Sequence, residues 1–345
     1  MGITNREYFL LFLGSYLLVG LLTPLMRKIA LATDVVDKPN TAHKSHKQPV
    51  PYLGGVAIII GIIVVAYSTS LVSNFTKNTF WLATSVLAPA LVLGLIGLWD
   101  DMKNLSPLPR FVAQTIAGIF TAFILLATKN VGNPTGSKIF DTVITVIWVV
   151  GICNSINFFD NLDGGAAGTV AVSSTALAFL ALNGDQYLIA ALSTVTAGAT
   201  MGFLIWNKSP ARIYMGDAGA LFLGVLLATL TIRLHPNSDT QLGSYFTPIF
   251  LLAVPILDTT VAVISRLKRN ASPFQGGQDH LSHRLIRAGL SRRKAAVTLW
   301  SLSGLFGLVA ILISRPNRNL ENILILVAGA AWIILFGLFI RTADT

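Results

Sequence analysis

Eleven apolar runs punctuate the chain, at about 8–27, 53–73, 79–99, 110–128, 139–159, 165–182, 186–206, 218–234, 245–264, 295–314 and 321–340. A helix of roughly 20 apolar residues crosses the hydrocarbon core of a bilayer, because each residue adds about 1.5 Å to a thickness of about 30 Å. The pattern therefore predicts an all-α, polytopic transmembrane helical bundle of about 11 spans. The runs at 165–182 and 218–234 are the shortest and the weakest spans. Pro89 and Pro255 fall inside runs and are expected to kink them, since each removes a backbone donor. The polar segments between runs are too short to fold separately, so residues 1–345 read as a single integral-membrane domain. The first run, from Tyr8 to Leu25, is long enough to span. Its flank carries one Arg and one Glu without a small-residue cleavage motif, so a span is expected there and not a cleaved signal peptide.

Composition agrees with the pattern. Residues are 53% hydrophobic and 12% charged, with mean hydropathy +0.69, where a soluble globular protein carries about 25% charged residues. The net charge of +10 finds no exposed basic domain to sit on, which argues against a nucleic-acid partner. It sorts by loop instead. If the runs alternate across a membrane, one side collects 18 Lys and Arg and the other 7. The richer side is expected to be cytoplasmic, with the N-terminus outside, the C-terminus inside and the chain in the plasma membrane. The lone cysteine, Cys153, permits no internal disulfide.

The acids follow the bases, which the charge rule does not require. Asp34, Asp37, Asp100, Asp101, Asp160, Asp163, Asp217, Asp258 and Asp279 all map to the cytoplasmic side or to run ends facing it, as do His43, His46, His280 and His283. The outer loops are short and plain. A polar site on the cytoplasmic face, open to an aqueous substrate, is the expectation.

Five stretches carry the chemistry. Asp100 and Asp101 close the run ending LIGLWDD; adjacent carboxylates repel unless a cation is near, so the pair reads as a metal or general-base site, or as a helix end reaching solvent. The stretch 154–165, NSINFFDNLDGG, spaces Asn154 from Asn157 and Asp160 from Asp163 by three residues, which on a helix puts each pair on one face. In NKSPARIYMGDAG, Asp217 stands between Gly216 and Gly219 just before a run, as a phosphate-approach turn or an N-cap. The basic loop 265–294 places His280, His283 and Arg284 within about one helical turn; mixed His and Arg suit a diphosphate, while Arg292, Arg293 and Lys294 read as membrane-surface charge. The first inside loop, DVVDKPNTAHKSHKQPVPYLGG, is proline-stiffened and extended; its Lys44 and His46 offer donors to a phosphate, and structural loop and substrate lid both remain open.

Together, the DD pair, NxxNxxDxxDG, GDAG and the late histidine loop, in that order along nearly the whole chain, resemble the polyprenyl-phosphate N-acetylhexosamine-1-phosphate transferases, relatives of phospho-N-acetylmuramoyl-pentapeptide transferase. The SPF before the histidines is more like the UDP-N-acetylhexosamine branch. The resemblance implies Mg²⁺-dependent transfer, with Mn²⁺ as the alternative ion, of a sugar 1-phosphate from a UDP-sugar to a polyprenyl phosphate, releasing UMP and starting a cell-envelope glycopolymer. It implies metal roles for Asn157 and Asp217. Catalytic roles follow for Asp100 and Asp101, with Asp160 and Asp163 near the nucleotide. Substrate contacts are implied for Asn154, Arg110, Lys44, His46, His280, His283 and Arg284. Arg110 stands where a lysine is usual, Ser282 interrupts the usual H-x-H-H, and His43 replaces a common Arg. UDP-GlcNAc is the expected donor; another UDP-HexNAc, or UDP-MurNAc-pentapeptide, is the rival within the class. A secondary transporter with intramembrane acids is the rival outside it. A homodimer is compatible with everything above.

Overall fold

The computed structural model describes residues 4–37, 49–72, 77–103, 105–132, 134–273, 277–315 and 317–341. Helix α1 (Asn5–Ala32) starts on a capping box from Thr4 and Glu7. A two-residue ladder follows, β1 (Val36–Asp37) antiparallel to β2 (Val50–Pro51), and is the one departure from all-α among the described residues. Then come α2 (Gly54–Val72), α3 (Lys77–Lys103), α4 (Pro107–Ala127), α5 (Lys138–Phe159), α6 (Gly165–Asn183), α7 (Tyr187–Asn207) and α8 (Gly216–Arg233). The chain ends with α9 (Gln241–Leu251), α10 (Ala253–Lys268), the short α11 (Leu281–Arg287), α12 (Arg292–Ile313) and α13 (Arg318–Arg341).

Among the described residues, nine helices are long and apolar enough to cross a membrane; α9 with α10 forms a bent pair, and Gly54–Ser68 of α2 is a shorter apolar helix. Every expected run thus falls on helix. The two shortest runs, α6 and α8, are not marginal spans but the interior of the bundle. Helix α8 is buried over most of its length and packs on α2, α3 and α5. It is apolar all round, as a helix without a solvent or lipid face must be, and its small residues let neighbours approach closely. Helix α13 sits at the other extreme, with little of its apolar surface covered.

The run at 245–264 carries the kink expected of Pro255. It is not one straight span: it breaks at Leu252 with a bend of 73°. Pro255 lies in the first turn of α10, where its ring excludes a helical carbonyl from residue 251 and its missing N–H breaks the ladder. Pro89 lies inside α3, which runs on through it.

Helix ends, not helix faces, bring the motifs together. The C-terminal ends of α3, α5 and α10 meet the N-terminal ends of α2, α4, α8, α11 and α12 at one end of the bundle. The opposite end holds plain contacts, such as Glu321, fully buried, accepting from Asp239 N–H and the Ser238 and Thr240 hydroxyls.

Candidate active site

Asp217, in the first turn of α8, is the hub. Its Oδ2 accepts from Arg110 Nη1 at 2.5 Å and its Oδ1 from Asn157 Nδ2 at 2.6 Å. Arg110 Nη1 also lies 2.7 Å from Asp100 Oδ2. Asp100 is buried, and its other oxygen accepts the Leu105 N–H at 2.5 Å. One guanidinium nitrogen therefore ties two carboxylates from two helices, and its positive charge compensates both.

Asp101 acts on the backbone. Its two oxygens accept the N–H groups of Asp217 (2.8 Å) and Ala218 (3.1 Å). It caps α8 from another helix, satisfying donors that a helix start leaves open and placing negative charge at the positive end of the dipole. Gly216 makes this possible: its φ is +66°, and a Cβ there would lie 2.5 Å from Asp101 Oδ2. Gly97 does the same from α3, where a Cβ would meet the Asp217 carbonyl oxygen at 2.3 Å.

The end of the first inside loop braces the hub from outside. Tyr214 N–H donates to Pro51 O at 2.8 Å, Gly54 N–H to Tyr214 O at 3.0 Å and Gly55 N–H to Met215 O at 2.9 Å. Tyr52 hydrogen-bonds Asp37 close to Asp101 and Asp217; burial, then that carboxylate, pushes its phenol up. Lys44 and His46, with His43, lie outside the described residues.

The 154–165 stretch is helical only as far as Phe159, with Asp160 as C-cap. Asn154 and Asn157 share the helix, yet Asn154 reaches Gln114 Oε1 on α4 at 2.6 Å while Asn157 reaches the hub. The expectation of Asp160 and Asp163 on one helical face is corrected: the chain turns between them, ending at Gly164 in the left-handed region. Asp163 Oδ2 accepts the Ala211 N–H at 3.2 Å, and Asn207 ties the same turn to the next loop through Gly164 N–H (3.0 Å) and Ile213 O (2.9 Å). Asp160 stays beside the hub, its carboxylate with no hydrogen-bond partner among the described residues. Burial, then Asp217 and Asp163, push its carboxyl up to about 7.

The histidine loop docks against the end of α5. His280 is buried; its Nδ1 lies 2.7 Å from Asp258 Oδ2 and its Nε2 3.2 Å from Arg266 Nη2. Asp258, fully buried on α10, also accepts the Leu281 N–H at 2.7 Å. Phe158 stands edge-on to the His280 ring at 6.2 Å, with the Arg266 guanidinium 5.5 Å from its own ring, and Ser282 donates to Asn161. His283 is half-buried beside His280; burial, then His280, pulls its imidazole down to about 4. Arg284 is committed to the protein itself. It is 1% exposed and donates to Asp279 O (2.7 Å), Ser265 Oγ (2.6 Å) and Phe339 O, which makes it a brace between loop and bundle.

Sequence reading missed Tyr52, Gln114, Asn161, Arg266 and the pairing role of Asp258. Asp258 alone carried a signal, a carboxylate inside an apolar run. For a cation, the cluster offers Asp217, the Asn157 Oδ1 (unpartnered among the described residues) and Asp100. Carboxylates outnumber the one arginine, and all the donors are hard oxygens. No group of three or more His, Cys, Asp or Glu closes into a cage among the described residues. That set fits a dication that keeps water and takes substrate phosphates as ligands.

The model of glycosyl transferase family 4 matches residues 83–235, the stretch that holds Asp100, Asp101, Arg110, Asn157 and Asp217. The chain is 32% identical, over 95% of its own length and 87% of the relative's, to a probable undecaprenyl-phosphate N-acetylglucosaminyl 1-phosphate transferase of Bacillus subtilis. The chain belongs to glycosyl transferase family 4. Within it, a decaprenyl-phosphate N-acetylglucosaminephosphotransferase of Mycolicibacterium smegmatis is 28% identical, over 99% of this chain and 91% of its own. An undecaprenyl-phosphate alpha-N-acetylglucosaminyl 1-phosphate transferase of Escherichia coli K12 is 27% identical, over 92% and 86%. The family 4 relationship therefore runs beyond the matched core into the histidine loop.

Proposed function

We propose that this family 4 transferase moves N-acetylglucosamine 1-phosphate from UDP-GlcNAc to an undecaprenyl-type polyprenyl phosphate, releasing UMP, and so starts a cell-envelope glycopolymer. The observation that carries the reading is the contact set Asp100–Arg110–Asp217–Asn157. It is a charged cluster at one end of an apolar bundle, in a chain alike over nearly its full length to transferases of that name.

Phosphoryl transfer asks a protein mainly for position and charge compensation. Asp217 and Asn157 would hold Mg²⁺, with Asp100 beside them; the ion, when bound, neutralises charge on the diphosphate. Arg110 bridges Asp100 and Asp217 and supplies positive charge where the acceptor phosphate approaches. Asp101 fixes the backbone under Asp217, so the hub does not shift as charge develops. His280, oriented by Asp258, and the half-buried His283 lie at the end of α5 that leads to Asp160. Covalent relay through Asp100 and direct attack by the lipid phosphate share this geometry.

The cluster belongs on the cytoplasmic face of the plasma membrane, since the Lys and Arg majority lies on its side. Nine long helices, the bent pair and the shorter α2 helix would give eleven crossings. The test offers purified protein a panel of UDP-HexNAc donors with Mg²⁺ and polyprenyl phosphate. Lipid product from UDP-GlcNAc is expected; product only from another donor would overturn the sugar assignment.

A further inference from the structure

His280 has no free ring nitrogen. Its Nδ1 lies 2.7 Å from Asp258 Oδ2, and its Nε2 lies 3.2 Å from Arg266 Nη2. Arginine is never deprotonated in proteins and carries donors only. The Nε2 that meets it therefore has to accept, bare of a proton. The ring proton then sits on Nδ1 and is given to Asp258. A proton on Nε2 would point one N–H at another inside the protein, and a doubly protonated ring meets the same clash. The partners have no slack. Asp258, His280, Arg266 and Asp279 are all buried. Asp258 spends its other oxygen on the Leu281 N–H at 2.7 Å. Arg266 spends Nε on Asp279 Oδ2 at 3.2 Å and Nη1 on Pro273 O at 2.7 Å, and Arg269 takes the remaining oxygen of Asp279. Two carboxylates and two guanidiniums balance, so the cluster needs no further positive charge from the imidazole. The Arg266 guanidinium lies 5.5 Å from the Phe158 ring, and Phe158 follows Asn157, which reaches Asp217. His283, in the first turn of α11, has no hydrogen-bond partner among the described residues.

We propose that Asp258 and Arg266 are positioning residues that hold His280 in its neutral Nδ1–H tautomer, and that His283 is the imidazole this loop offers to substrate. His280 is then a strut between α10 and α11 and gives nothing to a diphosphate. The role of His283 rests on the transferase reading; the tautomer of His280 does not. Asp258→Asn puts one acceptor oxygen where two are in use. The amide oxygen keeps the Leu281 N–H, the amide N–H turns to the ring, and the ring proton moves to Nε2, against Arg266.

The test reads the ring nitrogens of the full chain by ¹⁵N NMR at neutral pH after histidine-selective labelling, with His280 assigned by its loss in His280→Asn or His280→Gln. A proton on Nδ1 and none on Nε2 is expected in the wild type, and the reverse in Asp258→Asn. A proton on Nε2, or on both nitrogens, of the wild type would overturn the assignment. So would an Asp258→Asn spectrum like that of the wild type. The wild-type spectrum needs no turnover, so its failure is separate from failure of the transferase reading. A transfer assay then separates the two histidines. The Asn amide nitrogen reaches the place of Nδ1 and the Gln amide that of Nε2, so only His280→Asn keeps a donor to the buried Asp258 charge. His280→Asn should retain about tenfold more transfer than His280→Gln, the scale of one donor to a buried charge. Equal transfer, or the reverse order, would make Nε2 the working nitrogen. His283→Ala should raise the KM for the UDP-sugar more than His280→Asn does; the opposite order would return the diphosphate to His280.

Discussion

The Asp101 carboxylate is bound to the backbone of Asp217, with Oδ1 2.8 Å from the Asp217 nitrogen and Oδ2 3.1 Å from that of Ala218. The second acid of the DD pair thus sets the position of the residue that the first acid meets through Arg110. Asp101→Asn keeps the size but turns one acceptor into a donor facing an N–H. Loss of a charged cap costs about 1–2 kcal/mol. Thermal unfolding is expected several degrees lower and turnover reduced; an unchanged melting temperature and rate would remove Asp101 from the support of Asp217.

Arg110 bridges Asp100 and Asp217, so Arg110→Ala is expected to cost about 10²–10³-fold in turnover, the scale of losing one aimed donor. The same change leaves the carboxylates uncompensated, and the Mg²⁺ concentration for half-activity should fall. Arg110→Lys should recover part of the rate, because both contacts come from one nitrogen, Nη1, and an ammonium restores a positive charge there on a shorter and differently shaped side chain. A rate unchanged in Arg110→Ala would take the arginine out of the site.

His283 gives a pH signature. Its imidazole is held at about 4 in the fold, against 6.5 for the free group. Between those values the unfolded chain binds a proton that the folded chain does not, so its contribution is fully present above 6.5 and is lost as pH falls toward 4. The wild type should lose more thermal stability than His283→Gln between pH 7 and pH 4.5, measured side by side. Equal losses would show that the buried imidazole has no such linkage.

Much of the fold was legible because a bilayer makes hydrophobicity local: the runs fall on helix, the one at 245–264 as the bent pair α9 and α10. A kink at Pro255 was legible too; that the helix ends outright at Leu252 while α3 runs on through Pro89 was not, because the two prolines look alike in sequence and only packing decides which one ends a helix. The polar pole was legible from charge placement, and Asn157, Asp217, Asp100 and Arg110 came together as the motifs suggested. Asp163 left the helical face of Asp160, and Arg284 turned into the bundle, for reasons invisible to spacing. A helix that stops at Phe159 turns Asp163 toward Ala211, and a seven-residue helix turns Arg284 into the bundle. The His280–Asp258 pair joins residues 22 apart across a loop, which no local pattern announces.

Sidedness has its own check. Gln278 is exposed in the loop before the histidines. Gln278→Cys in a Cys153→Ser background should react with a membrane-impermeant thiol reagent from the cytosolic side only. Labelling from outside alone would invert the topology.

The most direct measurement follows the β-phosphorus of labelled UDP-GlcNAc. With Mg²⁺ and polyprenyl phosphate, the wild type should move that phosphorus into the lipid fraction together with the sugar, leaving UMP one-for-one, and Asp217→Ala should move none. Label that stays with the nucleotide as UDP while sugar reaches lipid would mean transfer of the sugar alone. No transfer from folded wild type would contradict the phosphotransferase account and return the membrane-embedded acids to a transport role.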